Sequence, residues 1–287
     1  MAYWTKLEDR ALITVGGGDA AEFLQGLITA DIEAVDRDGA GYGALLTPQG
    51  KILFDFLVTP RDGGYLLDTP DATAPDLLKR LTFYKLRADV DLADVSADFD
   101  VVAYWGDSMD MSCGFADPRL AALGRRDNTA KGSADPAQNA ATNADWQAHR
   151  IGLGVPEALH DFDYGEMFPH DVDLDDLNGV DFGKGCFVGQ EVVSRMHHRG
   201  SARRRALIVE GNADLPARGT EILAGERVIG EMGSHAGRTG LAIVRIDKVA
   251  GAIRDGQEIT CGGVRLDARL PSFATFTWPE DAAATAQ

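Results

Sequence analysis

The sequence predicts an α+β fold of ferredoxin-like α+β modules followed by a C-terminal β-barrel, and two observations carry this prediction. Residues 11–95 are patterned as a strand, a helix, three meander strands, a second helix and a last strand, which is the order of a ferredoxin-like unit. Residues 207–268 hold six short alternating segments separated by glycine turns. Such a series is typical of a small barrel or sandwich.

The first strand and helix are predicted from a tight glycine turn. A short apolar strand over 11–15 precedes three consecutive glycines, and apolar residues then recur at helical spacing from Phe23. The spacing of Gly16, Gly18 and Ala21 also matches a dinucleotide-binding turn. Because hairpins follow, rather than parallel strands alternating with helices, we favour a purely geometric use of these glycines.

The middle strand of the meander carries one acid among apolar residues. Ile52, Phe54, Phe56 and Val58 share one face of this strand, while Asp55 lies on the other face. An acid in such surroundings is either a functional carboxylate with a tuned pKa or a residue at the margin of the sheet. The sequence leaves both interpretations open.

Composition changes along the chain predict its domain boundaries. Residues 127–145 are rich in small polar residues and predict a mobile surface loop. We expect an N-terminal ferredoxin-like module over 1–97, a central α+β module over 98–202, a β-barrel over 203–278 and a disordered tail over 279–287.

Charge and hydropathy exclude several classes of partner. The formal net charge is −17 and the sequence pI is about 4.7, which makes nucleic acid an unlikely partner and argues against anionic membranes. The sequence has no apolar run long enough to span a bilayer and no secretory signal at its start. We therefore expect a cytoplasmic protein without a membrane partner.

Three widely separated cysteines favour reduced thiols over a disulfide framework, and we expect no metal site. The acid-rich stretch 161–181 resembles a calcium loop in spacing only. Asp176 stands where that loop needs glycine, and Phe182 stands where it needs a bidentate glutamate. We interpret this stretch as a solvated acidic face.

The most informative stretch runs from Lys184 to Glu191 and places a cation, a thiol, an amide and a carboxylate within eight residues. Gly185 and Gly189 permit a close backbone approach. A lysine beside Cys186 favours the thiolate, which is the form that reacts or binds metal. We call these eight residues the signature.

The signature resembles the K-G-C-[YF]-x-G-Q-E motif of the YgfZ family, and Arg195 follows it as in that family. YgfZ proteins are folate-binding relatives of the T-protein, the aminomethyltransferase of the glycine cleavage system, and are implicated in iron–sulfur cluster assembly or repair. The resemblance implies a T-protein-like architecture, tetrahydrofolate or a folate derivative as cofactor, and iron–sulfur cluster assembly or recipient proteins as partners.

The resemblance also implies roles for individual residues. Cys186 would be the reactive group or transient ligand, and Lys184 would activate it. The candidate folate-binding residues are Gly185, Gln190, Glu191, Arg195, Asp55 and Tyr84.

One departure keeps the question of catalysis open. The matching T-protein strand resembles G-G-I-L-D-D-L-I-V, whereas residues 50–58 keep only one of its two acids, Asp55. If the missing acid does the chemistry, aminomethyl transfer is lost and the folate pocket remains. The alternatives are a folate-dependent aminomethyltransferase or other C1 transferase, and a thiol redox protein without folate.

Overall fold

The computed structural model describes residues 2–107, 112–133, 139–200 and 202–279. Within them the chain forms six α-helices: α1 (Ala20–Leu27), α2 (Ile32–Asp38), α3 (Ala74–Lys85), α4 (Asn143–Leu153), α5 (Gln190–Arg199) and α6 (Ile246–Arg254). None of these helices is long and apolar enough to cross a membrane. The predicted disordered tail lies, from residue 280 onward, outside the described residues.

The strands build two open sheets and one closed barrel, so the α+β prediction is confirmed. In chain order they are β1 (Ala2–Lys6), β2 (Arg10–Gly16), β3 (Gly41–Leu46), β4 (Ile52–Arg61), β5 (Gly64–Pro70), β6 (Asp91–Asp94), β7 (Phe99–Gly106), β8 (Phe115–Ala116), β9 (Arg125–Ala130), β10 (Asn139–Ala140), β11 (Arg204–Gly211), β12 (Glu221–Ala224), β13 (Arg227–Ala236), β14 (Thr239–Arg245), β15 (Ile259–Cys261) and β16 (Val264–Arg269).

The first sheet has the strand order β3-β4-β5-β2-β6, with every neighbouring pair antiparallel. One face buries Phe56 and Val58 against the helices, among them Leu24 of α1 and Leu77 of α3. The opposite face belongs to a second core that it shares with β7 and α4, to which Leu57 contributes. Both faces of this sheet are therefore covered, and an acid on its second face is enclosed.

The second sheet has the order β10-β1-β7-β9-β8. Its strand β1 comes from the start of the chain, where Trp4 lies opposite Tyr104. Residues 2–6 thus pair outside the unit to which the sequence analysis assigned them, and the domain boundaries stay a prediction.

The predicted loop over 127–145 is wrong at both ends. Residues 127–130 belong to β9, and α4 begins at Asn143, where Thr142 and Asp145 form a capping box. Residues 134–138 lie outside the described residues. The polar composition of β9 favoured a loop over a strand. The one fully buried side chain of β9 is Arg126, which pairs with a charged partner instead of packing among apolar residues.

The barrel closes in the order β11-β14-β13-β12-β15-β16, and all six predicted strand segments lie in it. Its interior includes Leu207, Met232 and Cys261. Helix α6, which the sequence analysis did not predict, contributes Val249 and Ala252 to the same core. The third cysteine is therefore a packing residue of the barrel.

A buried ionic network joins the three sheets. Asp68 of β5 accepts a hydrogen bond from Arg10 at 2.6 Å and pairs with Arg126 of the second sheet at 3.2 Å. Arg10 also lies 3.8 Å from Glu157 in the segment after α4. Charges this far from water persist only when they are paired, so the pairing fixes how the sheets meet.

The network continues into the barrel through Arg150 of α4, whose side chain is fully buried. Arg150 pairs with Asp161 at 2.6 Å and with Glu157 at 3.1 Å, and it donates to Ser234 of β13 at 2.9 Å. Burial alone would raise the pKa of Glu157, but Arg150 and the neighbouring arginines hold that pKa far below its usual range.

We expect Arg150→Met to lower the free energy of unfolding by about 3–5 kcal/mol, because it leaves Asp161 buried without a cation and leaves Glu157 with Arg10 alone, at 3.8 Å. Urea denaturation of the purified chain measures the change. Lys131→Met is the matched control, because Lys131 is half-exposed and contacts Asp100 at 3.2 Å. This variant should lower the free energy of unfolding by less than about 1 kcal/mol. Equal losses in the two variants would contradict a structural role for the buried network.

Candidate functional site

The signature begins with a turn that one side chain defines. The Asp181 carboxylate accepts hydrogen bonds from the backbone N–H groups of Gly183 at 2.7 Å and Lys184 at 2.9 Å. The N–H group of Asp181 donates in turn to the carbonyl of Thr29 at 3.0 Å. An aspartate that bonds to the backbone two and three residues later stabilises a tight turn, so the start of the signature is fixed beside the end of α1.

Lys184 points back into the protein. Its ammonium donates to the carbonyl of Ile28 at 2.9 Å and to that of Ala30. Burial lowers the pKa of Lys184 to about 8, although the charges of Asp31 and Asp181 work in the opposite direction. The two hydrogen bonds make Lys184 an anchor of the loop, and its electrostatic effect on Cys186 stays a prediction.

The far end of the signature is locked against the turn between β3 and β4. Phe187 is buried, and Gly189 precedes α5 with a φ of +82°. A Cβ on Gly189 would lie 2.5 Å from the carbonyl oxygen of Thr47 and 3.1 Å from the Cα of Gly50. Only glycine combines that φ with such a close backbone approach, so the sequence requires glycine here for geometric reasons.

Cys186 lies between these anchors and is exposed. With Gly185 it lines an opening of about 510 Å³ whose other walls come from α1 and α2, including Gln25, Gly26 and Glu33. A Cβ on Gly185 would meet no other atom within 4 Å, which leaves space around the neighbouring thiol. The arrangement presents one accessible sulfur on a held backbone, which suits reaction with a second molecule or ligation of a metal that another protein carries.

Three further candidate folate-binding residues, two from the signature and Arg195 after it, lie on α5. Gln190 begins the helix and is half-buried, whereas Glu191 and Arg195 are exposed. Further along, Arg205 of β11 forms a two-pronged contact with Asp175 at 2.7 and 3.0 Å.

Asp55 lies elsewhere, in the buried space between the first and second sheets. Tyr42 donates a hydrogen bond to one of its oxygens at 2.8 Å, and Tyr164 donates to the other. Burial and the charge of Asp55 raise the pKa of both tyrosines well above their usual value, so both remain hydroxyl donors. Tyr42 lies on β3, the strand paired with that of Asp55, so the predicted meander could have indicated it, whereas Tyr164 lies 109 residues from Asp55 in the chain.

Tyr84 occupies a third place. It packs partly against the core below α3 and lies edge-on to Phe83, with ring centroids 5.9 Å apart. It lines a cavity of about 340 Å³ together with Glu22, Phe23 and Arg87. Glu22 also lines the opening at Cys186, so Tyr84 and the thiol lie on one continuous surface, whereas Asp55 does not line either cavity.

A larger cavity of about 680 Å³ separates residues 161–167 from strands β13 and β14. Its walls include Phe162 and Ile243, and its charged groups include Glu166 and Arg204. About half of the lining residues are charged, with four acids and three arginines: Asp161, Asp163, Glu166, Glu231, Arg204, Arg218 and Arg245. An acid with an arginine suits the aminopyrimidine ring and the glutamate of a folate. The cavity therefore fits a folate in size and in its charged groups, although none of the predicted folate-binding residues lines it.

Comparison with solved structures shows the fold. The chain resembles the glycine cleavage system aminomethyltransferase T from Bartonella henselae, with a TM-score of 0.69 over 95% of this chain and 86% of that one, at 16% sequence identity. This confirms the predicted T-protein-like architecture. Residues 203–276 match the family of CAF17 C-terminal beta-barrel domains, in agreement with the closed barrel.

Sequence comparison shows the family. The chain is 34% identical to the iron–sulfur cluster assembly factor IBA57 homolog of Mycosarcoma maydis and 33% identical to that of Neurospora crassa, over 70% and 75% of this chain. It spans only 55% and 56% of the length of these two fungal relatives. The human iron–sulfur cluster assembly factor IBA57 is 31% identical over 86% of this chain and 79% of its own length. On this similarity, the chain belongs to the IBA57 family of iron–sulfur cluster assembly factors.

Proposed function

We propose that this chain binds a tetrahydrofolate or a related folate and acts in iron–sulfur cluster assembly or repair through Cys186. The observation that supports the proposal most is the exposed thiol on a loop that Lys184 and Gly189 hold in place. The relatives are named as iron–sulfur cluster assembly factors, which supports the same role. The resemblance of the signature to the YgfZ family is consistent with it.

Cys186 would act as a transient ligand of a cluster that is cargo. Cysteine thiolates are the usual ligands of iron–sulfur clusters, and such a cluster needs several of them. Cys186 lies in the first half of the signature, while Cys261 is buried inside the barrel. The proposal therefore requires assembly or recipient proteins that supply the other ligands.

The folate part of the proposal rests on the cavity of about 680 Å³ beside the barrel. A bound tetrahydrofolate would supply a reduced pterin able to carry a one-carbon unit. Glu166 would accept from the amino group of the ring, Phe162 would cover an apolar face, and Arg204 would hold a glutamate carboxylate. Gln190, Glu191 and Arg195 remain the competing candidates from the sequence.

A cytoplasmic location remains part of the proposal. It rests on the small number of widely spaced cysteines. The names of the relatives place those proteins in mitochondria.

A folate-dependent aminomethyltransferase or another C1 transferase is the second candidate. Asp55 favours it, because two tyrosines orient this buried carboxylate. The carboxylate is buried and lines none of the cavities described above, and one of the two acids of the T-protein strand is absent beside it. The transferase is therefore the weaker candidate.

In cells that lack this protein, we expect wild type and Asp55→Asn to restore the activity of a [4Fe–4S] enzyme and Cys186→Ala to fail. Cys113→Ala is the matched control for loss of a cysteine and should restore activity. Rescue by Cys186→Ala would contradict the cluster role. Failure of Asp55→Asn, with turnover of an aminomethyl donor by wild type only, would favour the transferase.

We expect Lys184→Met to slow the alkylation of Cys186 at pH 7, because the variant removes a positive charge two residues from the thiol. Stopped-flow reaction with a fluorescent iodoacetamide measures the rate constant. Burial lowers the pKa of Lys184 to about 8, so the lysine loses its charge above that pH and the difference between the two proteins should disappear there. Equal rate constants at pH 7 would limit Lys184 to anchoring the loop.

Tetrahydrofolate should bind saturably in equilibrium dialysis, and Arg204→Met should weaken binding about tenfold, the loss expected for one charged contact. Arg269→Met, on an exposed part of the barrel, is the matched control and should bind as wild type does. Weakening by Arg195→Met alone would place the ligand at α5, and the absence of saturable binding would contradict the folate proposal.

A further inference from the structure

The end of α3 exposes two large apolar side chains. Leu86 is 85% exposed and Phe83 is 71% exposed, and they are the two most exposed large hydrophobic residues that the structure describes. Single exposed apolar residues are common on protein surfaces, whereas adjacent ones form a patch that favours contact with another molecule. We call Phe83, Leu86 and the surrounding exposed basic residues Lys79, Arg80 and Arg87 the α3 patch.

Leu86 also has a strained backbone conformation. It ends the helix with φ of +47° and ψ of −103°, a region that residues with a Cβ rarely adopt. Glycine is the usual residue at such a helix end, because it carries no such strain. A leucine with a strained backbone and an exposed side chain contributes little to the stability of the fold. This indicates that its side chain contacts another molecule.

The charge of the α3 patch differs from that of the whole chain. Lys79, Arg80 and Arg87 are exposed around the two apolar residues, and the exposed acids Asp76 and Asp89 flank them in the chain, whose formal net charge is −17. Basic side chains therefore outnumber acidic ones in this stretch, which favours a partner whose apolar groove is edged by carboxylates. The same acidic net charge disfavours nucleic acid and anionic lipid as partners.

The α3 patch is continuous with the surface that presents the thiol. Leu86 and Arg87 line the cavity of about 340 Å³, and Glu22 joins that cavity to the opening at Cys186. A folded protein seated on Leu86 would cross α1 and reach Cys186. The apolar patch and the thiol would thus serve one interface.

We propose that the α3 patch is the docking surface for the protein that shares a cluster with Cys186, and that this partner presents an apolar groove edged by acidic residues. This inference rests on the proposed function, because that function requires a second protein to supply cluster ligands. Phe83 and Leu86 fill the groove, and the three basic residues pair with its rim. Docking positions the partner's ligands over the opening at Cys186.

Site-specific photo-crosslinking of the full chain in cells tests the surface. Benzoylphenylalanine replaces Phe83 in one variant and Gly26 in a second, where a Cβ meets no other atom within 4 Å and the opening at Cys186 is adjacent. A third variant carries it at Ile253, which is 51% exposed on α6 and serves as the control. We expect positions 83 and 26 to capture the same acidic protein and position 253 not to capture it.

Leu86→Gly separates docking from folding. It removes the apolar contact and relieves the positive φ, so the melting temperature should be unchanged or higher. Capture from position 26 should fall about tenfold, as expected for loss of one interface hot spot, and Lys79→Glu should also reduce it. Ile253→Ser is the matched surface variant and should leave capture unchanged.

Several results would overturn the docking surface. The proposal is wrong if Leu86→Gly leaves the capture from position 26 unchanged. It is also wrong if position 83 forms adducts with nucleic acid or with a second copy of this chain. If the chain floats with vesicles of phosphatidylcholine and phosphatidylserine, and Leu86→Gly abolishes this flotation, the α3 patch binds a membrane surface instead.

Complementation of the [4Fe–4S] enzyme separates the two proposals. If Cys186→Ala fails and Leu86→Gly restores full activity, the docking surface is wrong and the cluster role stands. If Cys186→Ala restores activity while the Leu86-dependent capture persists, the surface stands and the cluster role is wrong.

Discussion

The pairing of buried arginines with carboxylates from distant segments is the constraint on which the rest of the structure depends. Asp68 of the first sheet needs Arg126 of the second, and Arg150 holds Asp161 while reaching Ser234 of the barrel. A buried charge without its partner costs several kcal/mol, so an arrangement of the three sheets that separated these pairs would be destabilised. The network thereby fixes the segment after α4, which supplies Tyr164 to Asp55 and one wall of the large cavity.

A second constraint joins the first sheet to the signature. Gly50 and Gly189 both have φ near +80°. A Cβ on Gly189 would collide with the carbonyl oxygen of Thr47, and a Cβ on Gly50 would come within 3.1 Å of Val192. The turn between β3 and β4 and the start of α5 therefore fit together as one unit. Since Lys184 is bonded to carbonyls at the end of α1, the loop that carries Cys186 is fixed at both ends, while its centre stays open to solvent. The thiol is held in place by the residues at the two ends of the loop, and it is accessible because the centre of the loop is exposed.

Local patterns predicted the barrel strands, the meander and the position of the signature, because alternation and glycine turns are properties of short segments. They could not predict that Tyr164 contacts Asp55, since Tyr164 comes more than a hundred residues later, or predict the polar strand β9, whose burial depends on Arg126 meeting Asp68. Lys184 was recognised as important, but the direction of its ammonium depends on carbonyls in another segment. Long-range pairing of polar groups is thus what the sequence analysis missed.

The position of β1 has a consequence for how the chain folds. Trp4 pairs opposite Tyr104 on β7, and Tyr3 pairs with Asn139 on β10. During synthesis, the first strand emerges from the ribosome long before either partner, and pairings between such distant residues form slowly. The first sheet can close around its own helices in the meantime. Until β7 and β10 have been synthesised, residues 2–6 lack their native partners, so their backbone groups stay available for pairing with other chains.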